Sequence, residues 1–195
     1  MDAVTNVPLP QNEPVLSYAP GSAEREELVA KLEELGGRSI DLPMRIGGES
    51  RMGGGDPIDV VQPHRHSAVL GTMRNATHDD ARAAIAAAKA AAPAWRAMSF
   101  DDRAAIILRA AELLSGPWRA TINAATMLGQ SKTVQQAEID SACELIDFWR
   151  FNSYFATQVY AEQPQSSAGV WNRLDHRPLE GFIYAVSPFN FTSIA

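Results

Sequence analysis

The sequence has one cysteine, Cys143, in 195 residues. That excludes an internal disulfide and makes a reducing, cytoplasmic setting the default expectation. Positive charge is also scarce: 17 Lys and Arg stand against 23 Asp and Glu, a net charge of −6. This balance argues against nucleic acid or an anionic membrane surface as partner. No apolar run approaches the roughly 20 residues that a bilayer-spanning helix needs. The opening Met1-Asp2-Ala3-Val4-Thr5 lacks the basic and apolar segments of a secretory leader and the arginines of a transit peptide. Histidine is sparse as well. His64-Arg65-His66 could present two imidazoles on one side of a strand, but no third ligand stands near them, so no metal site is expected.

What is present is ordinary globular material, with 46% hydrophobic residues, enough for one domain with a core. Residues 1–20 carry Pro8, Pro10, Pro14 and Pro20 among polar residues and read as an extended arm. Ser22 can cap a helix from Ala23 to Leu35, in which Leu28, Leu32 and Leu35 form one stripe. Gly36-Gly37 ends it. Met44-Arg45-Ile46, Ile58-Asp59-Val60-Val61 and Ala68–Met73 read as short strands. The glycine-rich stretch from Gly47 to Asp56 reads as a hairpin turn between the first two. No helix follows those glycines, so a phosphate cradle is disfavoured.

The next region is helical. Thr77 with Asp80 has capping-box spacing, and the helix Asp79–Ala92 is alanine-rich, with Pro93 expected to stop it. Trp95 is expected to pack beneath the turn that follows. Ser99 with Asp102 repeats the cap signal for a helix to Leu114. Gly116-Pro117 breaks it, and Pro117 suits the first position of another helix through Leu128. Gly129-Gln130-Ser131-Lys132-Thr133 has a passing likeness to a phosphate loop, but it follows a helix and reads as a helix-to-helix turn. The longest helix is expected from Lys132 to Tyr160. Cys143 sits in its middle among Asp140, Glu144 and Asp147, which disfavour a thiolate, so it reads as a packing residue. Val170–Pro178 alternates moderately and reads as an edge strand.

The last stretch carries the chemistry. Phe182-Ile183-Tyr184-Ala185-Val186 is an unbroken apolar run, as expected of a strand buried on both faces. Ser187-Pro188 stops it, and the loop beyond falls at a strand's carboxyl end, where open α/β sheets bind ligands. Asn190 lies there between Phe189 and Phe191. A carboxamide N–H held by aromatic walls can donate to an oxygen that gains negative charge.

Ser187-Pro188-Phe189-Asn190-Phe191-Thr192 resembles the motif that ends the first cofactor-domain strand of the aldehyde dehydrogenase family. Its spelling resembles the branch that oxidises glutamate semialdehyde, and the likeness runs from about Met44 to Ala195. The resemblance implies an α/β fold: an N-terminal helical part with a small antiparallel sheet, followed by the first strand of a Rossmann-type cofactor sheet, as an incomplete domain. Its parts would be an arm (1–20), the front of the NAD-binding domain (21–165), an oligomerisation arm (166–181), and the first cofactor-sheet strand with the active-site loop (182–195).

The resemblance further implies NAD-dependent oxidation of L-glutamate γ-semialdehyde (1-pyrroline-5-carboxylate) to L-glutamate in proline degradation. Asn190 would stabilise the oxyanion, with Ser187, Pro188 and Phe189 lining the cofactor cleft. Phe191 would pack on the aldehyde's aliphatic chain. Gln136-Ala137-Glu138-Ile139-Asp140 is similar to the same branch and implies that Glu138 helps hold the substrate's amino group; a solvated or salt-bridged carboxylate is the competing reading. The family's nucleophilic cysteine and general base would lie beyond Ala195, so this segment alone is expected to be inactive. A homo-oligomer joined through 170–178 is implied, and the residues present leave NAD against NADP open. Two other readings remain: a non-catalytic interaction module, and a dehydrogenase for a different aldehyde.

Overall fold

The computed structural model describes residues 5–194. The architecture is mixed α/β, with nearly half of the chain in helices and two small sheets beside them. Among the described residues the N-terminal arm, from residue 5 on, has no helix or strand until α1 (Ala23–Gly36). Strands β1 (Ile40–Asp41), β4 (Pro57–Gln62) and β5 (Arg65–Arg74) form one sheet in the order β1-β5-β4. β1 runs parallel to β5, whereas β4 is antiparallel to it, with register shifts around Val61. β2 (Met44–Ile46) and β3 (Glu49–Arg51) make a separate hairpin.

The glycine-rich stretch is therefore two devices rather than one turn. Gly47 and Gly48, at φ 63° and 86°, form the two-residue turn between β2 and β3. Both positive dihedrals suit the favoured hairpin geometry, and glycine adopts them without strain. Gly53, farther on, packs where a Cβ would overlap the carbonyls of Arg74 and Asn75.

Helix α2 (His78–Ala97) starts on the expected box: Thr77 Oγ1 accepts from Asp80 N, and Asp80 Oδ2 accepts from Thr77 N at 2.9 Å. It does not stop at Pro93. The proline removes one ladder bond, and the helix continues to Ala97, closed by Met98 in an extended conformation. Trp95 stays 44% exposed rather than packing beneath a turn. Helix α3 (Phe100–Ser115) opens on Ser99, whose Oγ accepts from Asp102 N at 3.2 Å. Helix α4 (Arg119–Gln130) begins two residues after Pro117, with Trp118 as its cap.

Ser131, in the left-handed region at φ 55°, turns the chain, and a Thr133–Gln136 capping box starts α5 (Val134–Ala137). A single π-turn over Glu138–Cys143 joins α5 to α6 (Glu144–Ala161). The expected long helix is thus one helical rod with a widened turn, a feature frequent at functional sites.

Two apolar clusters hold these elements. Ala111, Leu114, Ala142 and Ile146 join α3 to the rod, and Tyr18, Leu28 and Ala124 join the arm to α1 and α4. Beyond Ala161 the two remaining strand expectations are not met. Residues 170–178 and Phe182–Val186 form no strand, and Val170 makes only an isolated bridge to Ser167. An extended segment becomes a strand only when another strand satisfies its backbone groups. Among the described residues none runs alongside, and Ile183 and Tyr184 are about four-fifths exposed, at 80% and 82%.

Candidate active site

The loop that follows Val186 returns to the helices. Gln130 Nε2 donates to the Phe189 carbonyl at 3.4 Å. Lys132 Nζ lies 4.5 Å from the centre of the Phe191 ring and pairs with Asp140 at 2.7 Å. Thr126 Oγ1 lies 2.9 Å from Thr192 Oγ1, and Ser193 Oγ donates to the Ser141 carbonyl at 3.0 Å. Asn190 sits at the crest of this loop with its carboxamide exposed. The expected pair of aromatic walls is only half formed. Phe191 packs under Lys132, whereas Phe189 is 96% exposed. The reason is the one that leaves Phe182–Val186 unpaired: no layer covers this side of the segment. Ser187 and Pro188 are likewise exposed.

Glu138 lies in the π-turn, below the surface that holds the loop. Its side chain is fully buried, at 0% exposure. Leu16 N donates to Oε1, while Tyr18 Oη and Asn123 Nδ2 donate to Oε2, each at 2.8 Å. Arg119 pairs with it through Nη2 and bonds Oε2 from Nε at 3.3 Å. Burial pushes the carboxyl upward, but the Arg119, Leu16, Tyr18 and Asn123 donors outweigh it and hold the group below its usual range. The carboxylate accepts from this chain's own donors, so the salt-bridged arrangement is the one observed in this structure. Arg119 extends the cluster to Glu13, whose other oxygen accepts from Arg150 at 2.7 Å.

Cys143 is buried beside this cluster, 3.7 Å from Glu138 Oε1. Burial first, then the charge of Glu138, pushes its thiol up to about 12. It is a packing residue, as its acidic neighbours suggested. His64 Nδ1 contacts Ser131 Oγ at 2.8 Å, and no group of three or more metal-ligating side chains occurs among the described residues. His176 packs edge-on to Tyr160, with 5.0 Å between ring centres.

Sequence reasoning missed Arg119, Asn123, Thr126 and Lys132. Arg119 and Asn123 are four apart on α4, flanking Ala120 on the face that turns inward. A charged residue and an amide on a small-residue stripe were the available signal for a buried polar cluster.

The aldehyde dehydrogenase family matches residues 51–195, three-quarters of the chain, and the chain belongs to that family. It is similar to several delta-1-pyrroline-5-carboxylate dehydrogenases. It is 46% identical over 183 residues to the mitochondrial enzyme of Bos taurus, covering 94% of this chain and 32% of that protein. It is 45% identical over 194 residues to the delta-1-pyrroline-5-carboxylate dehydrogenase of Agaricus bisporus, covering 98% of this chain and 35% of that protein. The crystal structure of the Mycobacterium tuberculosis enzyme bound with NAD superposes with a TM-score of 0.96 at 63% identity, over 100% of this chain and 36% of that one. The chain thus spans about a third of the length of the relatives it matches and folds as their N-terminal third does. The likeness also reaches further than the segment from Met44 onward, since it takes in the N-terminal arm.

Proposed function

We propose that this chain is the N-terminal part of an NAD-dependent dehydrogenase that converts L-glutamate γ-semialdehyde to L-glutamate in proline degradation. The observation that carries this reading is the 63% identity, over the whole chain, to a delta-pyrroline-5-carboxylate dehydrogenase bound with NAD. In this reading the protein works in the cytoplasm and assembles as a homo-oligomer through residues 170–178. The exposed apolar side chains of that segment, with Trp171 71% exposed, support an interface there.

The residues present suit the cofactor's neighbourhood. Ser187, Pro188 and Phe189 offer an exposed surface with a hydroxyl and a ring face, which suits one wall of a nucleotide cleft. Bound NAD supplies the hydride acceptor. This chain supplies Asn190, whose carboxamide N–H donates to the aldehyde oxygen as negative charge builds on it; the anchored residues on either side restrain its backbone, which limits the reorganisation needed when the charge forms. Phe191, fixed on Lys132, offers an apolar face to the aliphatic part of the aldehyde. Glu138 contributes by holding the arm and α4 against the rod.

The test is to purify the complete protein that carries this segment and follow NADH formation with a panel of aldehydes. The expected result is the highest kcat/KM with glutamate γ-semialdehyde and NAD, and no turnover by residues 1–195 alone. A higher kcat/KM with a different aldehyde would overturn the substrate assignment, and absence of NAD-linked oxidation would overturn the reaction.

A further inference from the structure

We infer that Thr126 is a positioning residue for Asn190, the keystone of a clamp by which α4 and the π-turn fix the active-site loop. Four of the five residues from 189 to 193 are held by that surface: Phe189 by Gln130, Phe191 by Lys132, Thr192 by Thr126 and Ser193 by the Ser141 carbonyl. Asn190 is the exception, and it is exposed. A loop gripped on both sides of one residue presents that residue's side chain and restrains its backbone.

Thr126 is central because of its hydrogen-bonding capacity. A hydroxyl has one proton and two lone pairs. Thr126 Oγ1 lies 2.8 Å from the Ile122 carbonyl, 2.8 Å from Ser141 Oγ and 2.9 Å from Thr192 Oγ1. The carbonyl can only accept, so it takes the Thr126 proton. The hydroxyls of Ser141 and Thr192 then donate to the two lone pairs, and the group is saturated. Thr126 and Ser141 are both fully buried, so no water substitutes for either contact. One side chain thereby ties α4, the π-turn and the loop together at a single point.

This inference rests on the proposed role of Asn190. The experiment uses the complete protein with Thr126→Val, Thr126→Ser, Asn190→Ala and the double variant Thr126→Val/Asn190→Ala. Thr126→Val is expected to lower kcat by about 10- to 100-fold, with KM for NAD and aldehyde within about two-fold of wild type. Thr126→Ser, which keeps the hydroxyl, restores kcat to within about three-fold. The double variant is no slower than Asn190→Ala, because Thr126 acts through Asn190. Hydrogen exchange at residues 189–193 should speed up in Thr126→Val and not in Thr126→Ser. Multiplicative losses in the double variant, or unchanged exchange at 189–193, would overturn the inference. An inactive wild type would instead sink the proposed reaction, while the exchange comparison would still decide the clamp.

Discussion

The Tyr18 hydroxyl donates to Glu138 Oε2 at 2.8 Å, across 120 positions of sequence, and so pins the N-terminal arm to the π-turn. Leu16 N, Asn123 and Arg119 converge on the same carboxylate. Removing it leaves the Arg119 guanidinium, 7% exposed, without its main counter-charge. Breaking a buried pair from one side costs about 3–5 kcal/mol. Glu13 still reaches Arg119, so Glu138→Ala is expected near the lower end of that range. Tyr18→Phe, which orphans less, should cost about 1–3 kcal/mol. Denaturant unfolding of the complete protein measures both, and limited proteolysis should cut the arm sooner in each variant. A Glu138→Ala protein as stable as wild type would contradict the pairing.

Acid should dismantle the same fold at two places. Glu138 is held below the usual carboxylate range, burial notwithstanding, by its four donors. Asp80 is lowered to about 2 by the N–H groups of Gly54 and Thr77, the Thr77 hydroxyl and, more weakly, Arg51. Each pKa is lower folded than unfolded, where carboxyls titrate near about 4. The stabilisation is therefore fully present above about pH 5 and is lost as pH falls through the folded values. For Asp80 the window runs from about pH 4 to about pH 2. Unfolding free energy measured from pH 7 to pH 2.5 should decline below pH 5, and Asp80→Asn should flatten the decline below pH 4. A wild-type profile level from pH 5 to pH 3 would show that neither carboxylate matters.

The capping boxes show which part of this structure the sequence alone reveals. Thr77 with Asp80 and Ser99 with Asp102 bond within three residues, so composition and spacing suffice. The Glu138 cluster and the Thr126–Thr192 contact join residues 120 and 66 positions apart, and no local pattern encodes such meetings. Pro93 misled for a physical reason: a proline costs a helix one bond, and an alanine-rich helix near its end continues past it. Phe182–Val186 misled for another. Its apolar run states an affinity for a covered sheet, while the strands that would receive it are not among the described residues. The motif from Ser187 to Thr192 pointed to the family because it is a chemical signature and does not depend on that pairing.

Cys143 gives a prediction about reactivity. Burial and the Glu138 charge push its thiol well up, so the buried side chain stays a thiol near neutral pH. A maleimide should leave Cys143 unmodified in the native protein and label it in urea, as read by peptide mass spectrometry. Cys143→Ala should keep kcat within about two-fold, since the side chain packs and does not react. Fast native labelling of Cys143 would mean the cluster opens to solvent.

Asn190 carries the sharpest kinetic consequence. Its carboxamide is exposed on a loop clamped at its neighbours, free to meet a substrate and unengaged by other described side chains. A donor aimed at a developing oxyanion acts more in the transition state than on the ground-state carbonyl. Asn190→Ala in the complete protein should therefore lower kcat about 100- to 1,000-fold, or about 2.7–4 kcal/mol, with KM little changed. Asn190→Asp should be at least as slow, because a carboxylate repels the oxyanion in place of donating to it. Steady-state and single-turnover kinetics on both variants separate chemistry from product release. If Asn190→Ala raises KM and spares the single-turnover rate, the side chain binds substrate uniformly and does not stabilise the oxyanion.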